Sequence, residues 1–540
     1  MKAMPSRRPI TTAIRGLRAG DASARCASYI IRLMVPLHHP GVSGGLFNPY
    51  GPVTRTRVDG GRMRGVRQDG RVRIAVVSLL LAASAALTAF SVLAYDLFKP
   101  GRDTVPLVLC TAGLWLLFAL AVLLLRGVRG RAVVVLVLAG SVGIGAAAMV
   151  GPPNTSTDSA RYAWDGIVST AGISPYAYTP ADDRLDALRP DWLFPAPELT
   201  ESGKRECVGE RIQTAQKTES GDLLCSALNR TGVPTIYPPA AEIYFAGVRA
   251  LTGPNAEYWP LQLTGLLLSV GTTGMLLVGM RRRGIDQRFA ALWAWCPLVA
   301  TEAITNSHVD MLGVVFTLAA VFLVTGRRYW SGGFVLGAAI ATKLIPVLAA
   351  PAMLRRQGWK VTVGAVATFL ILYVPYVLST GIGVLGYLPG YLSEEGYEDG
   401  TRFALISLIA PGGSAVIVAA VLLAVIAVLV IWKTDPDQPW LGQLVMIGSA
   451  LLILSPRYSW YALLLLPFIA LSGRWEWLLV PMALTLRLLV PSIPLTRVAI
   501  ATAIVVIVVM SIHRARPGIA QRVLRPGWSK VPEPGDQTVG

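Results

Sequence analysis

The sequence predicts an all-α protein that passes through a membrane about twelve times, and three observations carry that expectation. Hydrophobic residues fill 53% of 540 positions, charged ones only 15%, and mean hydropathy is +0.55. A soluble chain of this size cannot hide that much apolar surface. The apolar residues come in runs of about 20, the length a helix needs to cross hydrocarbon. Finally, the Lys and Arg behind the net charge of +18 gather in tails and short connectors between the runs. That is the pattern of topology signals and anionic headgroup contact, not of nucleic-acid binding.

Taken in order, residues 1–73 are rich in Arg, Gly, Pro and Ser, without lasting periodicity. They are expected to be a disordered cytoplasmic tail. No long apolar stretch follows the first charges, so a cleaved signal peptide fits poorly, and Met63 is an alternative start. The expected spans are 74–95, 104–125, 132–151, 258–280, 287–305, 309–325, 361–379, 414–432, 440–456, 460–473, 477–491 and 496–513. Residues 74–513 thus form the transmembrane body, and 514–540 a second basic tail.

Positive connectors set the orientation. Arg126, Arg129 and Arg131, then Arg281 to Arg283 with Arg288, then Arg327 and Arg328 mark inside loops. Both termini are expected inside, and residues 152–257 outside, together with the connectors near 306–310, 380–413, 457–459 and 492–495. Two runs strain this count. Residues 236–252 carry Pro238, Pro239, Glu242 and Arg249 and read as an interfacial helix. Residues 331–354 carry Lys343 and Pro346 between two arginine pairs, and read as two half-helices of a re-entrant hairpin broken at that point. Residues 197–232 read as a polar insertion in the outer loop. Cys207 and Cys225 share it and are candidates for a disulfide in an oxidising compartment. The remaining cysteines show no metal-ligand spacing.

The residues suited to chemistry lie on the expected outer face. Asp158 and Asp165, seven apart, flank Arg161, Tyr162 and Trp164. Rings stack on the apolar face of a sugar, acids and amides bind its hydroxyls, and a carboxylate that reaches a hydroxyl can take its proton. Tyr237 and Glu242 follow on the Pro-Pro helix. Asn306, His308 and Asp310 stand at the outer end of a span. Lys343 is a cation inside an apolar run, expensive there and a functional candidate for that reason. Arg457 sits among Tyr458, Trp460 and Tyr461, as either an aromatic belt with a snorkelled cation or a phosphate contact. Arg402 and Arg497 are weaker candidates of that kind. No nucleotide-binding glycine motif stands in a fitting context, and no soluble α/β stretch is long enough to hold a nucleotide-sugar. A sugar donor must therefore come through or within the membrane.

Read together, YAWDG at 162–166, GISPYAY at 172–178, PTIYPPAAE at 234–242, HVD at 308–310, ATKLIP at 341–346 and SPRYSWYALLLLPF at 455–468 resemble the GT-C superfamily of polytopic glycosyltransferases. The pattern is similar to bacterial glycosyltransferase family 87. The resemblance implies a GT-C-like helical bundle and transfer of a sugar, with inversion, from a polyprenyl-phosphate carrier, often polyprenyl-phosphate-mannose, to a glycolipid or glycan outside the cell membrane. It implies Asp158 as general base, with Asp165 as its rival. A monophosphate-linked sugar already has a fair leaving group, and no dense acidic cluster demands a metal, so no metal or other cofactor is expected to be required. His308, Lys343 and Arg457 carry over only weakly as phosphate contacts. The insert and the basic tail depart from the family pattern and leave acceptor choice open. The competing reading is a transporter or flippase of lipid-linked sugars, which predicts charges at mid-membrane and internal repeat symmetry. No such symmetry is visible.

Overall fold

A computed structural model describes residues 60–98, 104–209, 211–397 and 400–515. The expected tails at 1–59 and 516–540 lie outside them. The described residues up to Ile507 form one compact unit.

Each apolar run carries helix. The first three are α1 (Gly60–Ala94), α2 (Val105–Leu125) and α3 (Arg131–Ala147). The outer loop opens with α4 (Asp158–Thr170). It then makes two antiparallel hairpins, β1 (Glu198–Leu199) with β2 (Arg205–Glu206) and β3 (Thr214–Lys217) with β4 (Leu223–Ser226), and closes with α5 (Pro239–Thr252). There follow α6 (Trp259–Arg282), the short α7 (Ala291–Ala294), a π-helical turn (Val299–Thr305), α8 (Asp310–Thr325), α9 (Tyr329–Thr342) and α10 (Gly358–Thr380). The last part holds α11 (Leu388–Glu394), α12 (Ser414–Lys433), α13 (Trp440–Leu454), a 3-10 turn (Ser459–Leu464), α14 (Leu466–Ser472), α15 (Leu479–Leu489) and α16 (Ile493–Ala515).

Hydroxyls inside the apolar helices bond back one turn, as Ser84 does to Leu80 O and Thr317 to Gly313 O, which satisfies them within the helix. Large apolar side chains face outward along the long helices, among them Ile371, Leu378, Ile417 and Val428. This is the surface of a protein solvated by lipid.

The structure departs from the expectations at two points. The first helix begins at Gly60, inside the segment expected to be disordered, because the helical backbone runs on from the apolar part into the basic one. Six helices among the described residues are long and apolar enough to cross a membrane, seven if a pair bent by 111° is one span, against twelve expected. The 287–305, 460–473 and 477–491 runs are divided into short pieces, with Pro297, Pro467 and Pro481 at or near the start of a piece, where proline is tolerated. The polar insertion at 197–232 contains the two hairpins.

The break expected at Lys343–Pro346 is there: α9 stops at Thr342, Lys343 is extended (φ −160°, ψ 144°), and only 3-10 turns follow, over Ile345–Ala349 and Pro351–Met353. Tyr329, Met353 and Arg356 line one small cavity, so the chain comes back to where α9 began. α9 and α10 meet through glycines. A Cβ on Gly337 would lie 2.3 Å from Ala365 O, so only glycine permits this approach.

Candidate functional site

The site begins with the helical period of α4. Asp158, Arg161, Tyr162 and Asp165 recur at three- and four-residue spacing and share one face. Trp164 falls on another. Gly166 lets α4 press onto α5, since a Cβ there would stand 2.5 Å from Phe245 O. Tyr162 stacks on Phe245 (centroids 4.5 Å) and meets Tyr237 edge-on at 5.0 Å. Asp158 thus projects from a helix whose flank is packed solid.

Asp158 opens into a cavity of about 410 Å³, whose wall also carries Arg161, Arg230, Tyr237, Lys343 and Arg402. Beyond these charges the wall turns apolar, with Leu348, Leu385, Leu388, Leu392 and Leu451. Asp158 Oδ2 lies 3.5 Å from His308 Nδ1 and 3.5 Å from Tyr162 Oη. Burial pushes the Asp158 carboxyl up, but the hydrogen bond and charge of His308, with Lys343 and Arg230 behind, outweigh it and hold the group below its ordinary value. Asp158 is therefore ionised and faces open space.

The connector after the π-helical turn holds this acid in place. Asn306 Oδ1 accepts from the backbone N–H groups of Asn154 and Thr155, and its Nδ2 donates to Thr155 Oγ1 and Glu302 Oε2. Ser159 Oγ donates to Asn306 O. The His308 ring is wholly buried and stacks on Trp460 at 3.8 Å, and Trp460 stacks on Tyr458. Burial disfavours a charge on His308, yet the flanking carboxylates of Asp158 and Glu302 raise its proton affinity above the ordinary value.

The cations reach the cavity from different elements. Lys343 Nζ is 2.6 Å from Asp310 Oδ2 and lies over the Tyr461 ring. The helix break lets that side chain leave the apolar run. Arg230, on the insert, pairs with Glu394 at 2.6 Å and has φ +53°, a backbone strain that non-glycine residues carry only when neighbours enforce it. Arg402 pairs with Glu395 and covers the Tyr397 ring. The insert is fixed in turn by the Cys207–Cys225 disulfide and by Arg211, which meets Asp96 at 3.1 Å and Pro153 O at 2.7 Å.

Several expected site residues sit elsewhere. Asp165 is buried away from the cavity, its carboxylate bonded by Arg161 Nε at 2.9 and 3.1 Å. Burial raises its proton affinity in spite of Arg161, and the neighbouring Glu242 is raised further by burial and by Asp165. Glu242 takes one bond from Thr235 and lines no cavity. Trp164 packs edge-on against Phe194 in the loop core, not on a sugar site. Arg457 is exposed and outside the cavity wall. Arg497 is spent on the Ala404 carbonyl. Sequence reasoning missed Arg230, Glu302 and Tyr391. Arg230 lies in a stretch that reads as a peripheral insert, and Glu302 in a run that reads as plain membrane span.

Comparison with known proteins places this arrangement. The model of glycosyltransferase family 87 matches residues 235–456. The matched segment contains His308, Asp310, Lys343 and Arg402, and ends before Trp460; Asp158 precedes it. A polyprenol-phosphate-mannose-dependent alpha-(1-2)-phosphatidylinositol pentamannoside mannosyltransferase of Mycolicibacterium smegmatis is 25% identical over 259 residues, 46% of this chain and 60% of that protein. Its namesake from Mycobacterium tuberculosis is 25% identical over 260 residues, 46% and 57% of the two chains. GPI mannosyltransferase 1 of Gibberella zeae is 35% identical over 83 residues, 15% of this chain and 19% of that one. The chain thus spans less than two thirds of the curated relatives it matches. No solved structure matches.

Proposed function

We propose that this chain is a membrane mannosyltransferase that moves a mannosyl unit from a polyprenyl-phosphate carrier to a glycolipid or glycan on the extracytoplasmic face, with inversion. One observation carries the reading: an ionised carboxylate, Asp158, faces Lys343, Arg230 and Arg402 across a chamber whose far wall is apolar. The apolar wall suits an isoprenoid chain, the cations suit its phosphate, and the names of the similar proteins point to mannose as the cargo.

The step follows from those positions. Asp158 takes the proton of the acceptor hydroxyl as the oxygen attacks the anomeric carbon from the side opposite the phosphate. The carbon–oxygen bond to phosphate breaks, and the charge that develops there falls to Lys343, Arg230 and Arg402. The phosphate is already a fair leaving group, so on this reading the cations do the work a metal would do, and a chelator leaves transfer unchanged. The Cys207–Cys225 disulfide suits an outer loop, and the return of the chain from Lys343 to Arg356 suits a re-entrant hairpin on the inner face.

The test is a transfer assay in membranes with a labelled panel of polyprenyl-phosphate sugars. Transfer of mannose is expected from the wild type and none from Asp158→Asn at equal protein level. Full activity in that variant removes Asp158 from the mechanism, and no turnover with any lipid-linked donor favours transport. Labelling of single cysteines in 152–257 from outside the cell checks the face, and labelling only in inverted vesicles reverses it.

A further inference from the structure

Glu302 is a carboxylate that never reaches the cavity. Its side chain is 3% exposed and sits in the π-helical turn, a rare form found mostly where a site needs it. Ser459 Oγ donates to Oε1 at 2.7 Å and Asn306 Nδ2 to Oε2 at 3.2 Å. His308 Nε2 lies 3.3 Å from the same Oε2, off the line of a hydrogen bond, as a charge contact. The His308 backbone N–H also bonds Glu302 O at 2.9 Å, so the turn itself fixes the two residues together. On the ring's other edge stands Asp158, and Trp460 clamps one face.

The Glu302 carboxylate takes a hydrogen bond on each oxygen, and a cation beside it adds the charge interaction that favours a buried anion most. The cation at contact distance is the His308 ring. That ring in turn can meet two carboxylates only with a proton on each nitrogen. We propose that Glu302 is a positioning residue of the transfer reaction: it holds His308, as the imidazolium, against Asp158, so that the base keeps one oxygen on His308 and turns the other to the acceptor. The proposal rests on the reading of Asp158 as base. His308 keeps its proton throughout, and only Asp158 gains one from the hydroxyl.

The charge balance around His308 gives the test its sign. The titratable groups facing the ring are Asp158 and Tyr162 from α4 and Glu302 from the π-helical turn. Ser459 and Trp460 do not titrate, and Asp310, two residues on, is tied to Lys343. Removing the Glu302 charge takes away one of the two anions that keep the imidazolium protonated, so His308 loses its proton at lower pH. The alkaline limb of the rate profile then moves to lower pH.

The experiment measures pH–rate profiles of the full chain in membranes with the labelled mannosyl donor, for wild type, Glu302→Gln, Glu302→Asp, Ser459→Ala and Asp158→Asn. Glu302→Gln is expected to move the alkaline limb down and to lower kcat on the acceptor side of that limb on the order of tenfold, with KM for the donor within about twofold. Glu302→Asp restores the limb, and Ser459→Ala moves it the same way but less. A Glu302→Gln profile that superimposes on the wild type overturns the proposal. If that variant does not accumulate, Ser459→Ala decides, and an unmoved limb there overturns it. Asp158→Asn separates the two readings. Transfer retained in that variant ends both; transfer lost there, with the limb unmoved in Glu302→Gln, ends the positioning role alone.

Discussion

The two acids of α4 stand seven residues apart on one face of one helix, and they live in opposite surroundings. Asp158, at the helix entrance, keeps 21% of its side chain exposed and meets an imidazole, with cations across a cavity. Asp165, two turns on, is 2% exposed and enclosed by Arg161 and the α4–α5 packing. Burial acts on both. At Asp158 the positive neighbours win and its proton affinity falls; at Asp165 desolvation wins and it rises. Residue type and spacing are shared, so what distinguishes a base from a structural ion pair here is the partner each acid meets across the fold.

Substitution at each end should break that comparison in different currencies. Asp158→Asn is expected to lower kcat by on the order of 10²–10⁴-fold, the range of a lost general base, with thermal stability in detergent unchanged. Asp165→Ala leaves Arg161 buried without its partner, which costs about 3–5 kcal/mol of stability. Its loss should show first as a lower melting temperature and lower yield, while the protein that folds still transfers sugar. If Asp165→Ala folds normally and is inactive, the roles of the two acids are exchanged.

How much of this was legible follows the same division. Asp158, His308 and Lys343 could be found because each breaks a local rule: a charge at a helix end among rings, or a cation in an apolar run. The helix break at Lys343–Pro346 was legible from a lysine and a proline in an apolar run flanked by two arginine pairs. The fold class followed from composition, but the number of spans did not, because prolines divide apolar runs into pieces whose path depends on packing. Trp164 misled although the helical period was available: six residues past Asp158 it turns to the loop core. Glu302 was hidden because it lies in a mostly apolar run and its partner Ser459 comes from a distant segment. Arg230 was hidden by the polarity of its own insert.

Glu242 tests the buried end more gently. Its folded-state proton affinity is raised, by burial first and by Asp165 second. Between its unfolded value and that raised value the native state binds the extra proton, so its contribution to stability is lost as pH rises through that window. A neutral side chain of the same shape avoids that loss. Glu242→Gln is therefore expected to leave the melting temperature at pH 7 unchanged or raise it by up to about 1 kcal/mol equivalent, and to leave transfer within about twofold. A fall in donor turnover of tenfold or more would instead mean that this acid touches the acceptor.

The smallest effect is expected at Arg457, which the sequence put beside the rings of the site and the fold turns outward. Its side chain is exposed and no part of it lines the cavity. Exposed positions of this kind change stability by about 0.5 kcal/mol or less, and a cation that does not reach the phosphate cannot favour its departure. Arg457→Ala should therefore match the wild type in melting temperature and in transfer, whereas Lys343→Met, which removes a cation from the wall and leaves Asp310 unpaired, should lose at least on the order of tenfold in transfer. The contrast is the sharper measurement, because both residues are basic and both were candidates for the same phosphate. If Arg457→Ala loses transfer as Lys343→Met does, the donor phosphate lies outside the cavity at Arg457, and the cation set of Lys343, Arg230 and Arg402 is the wrong one.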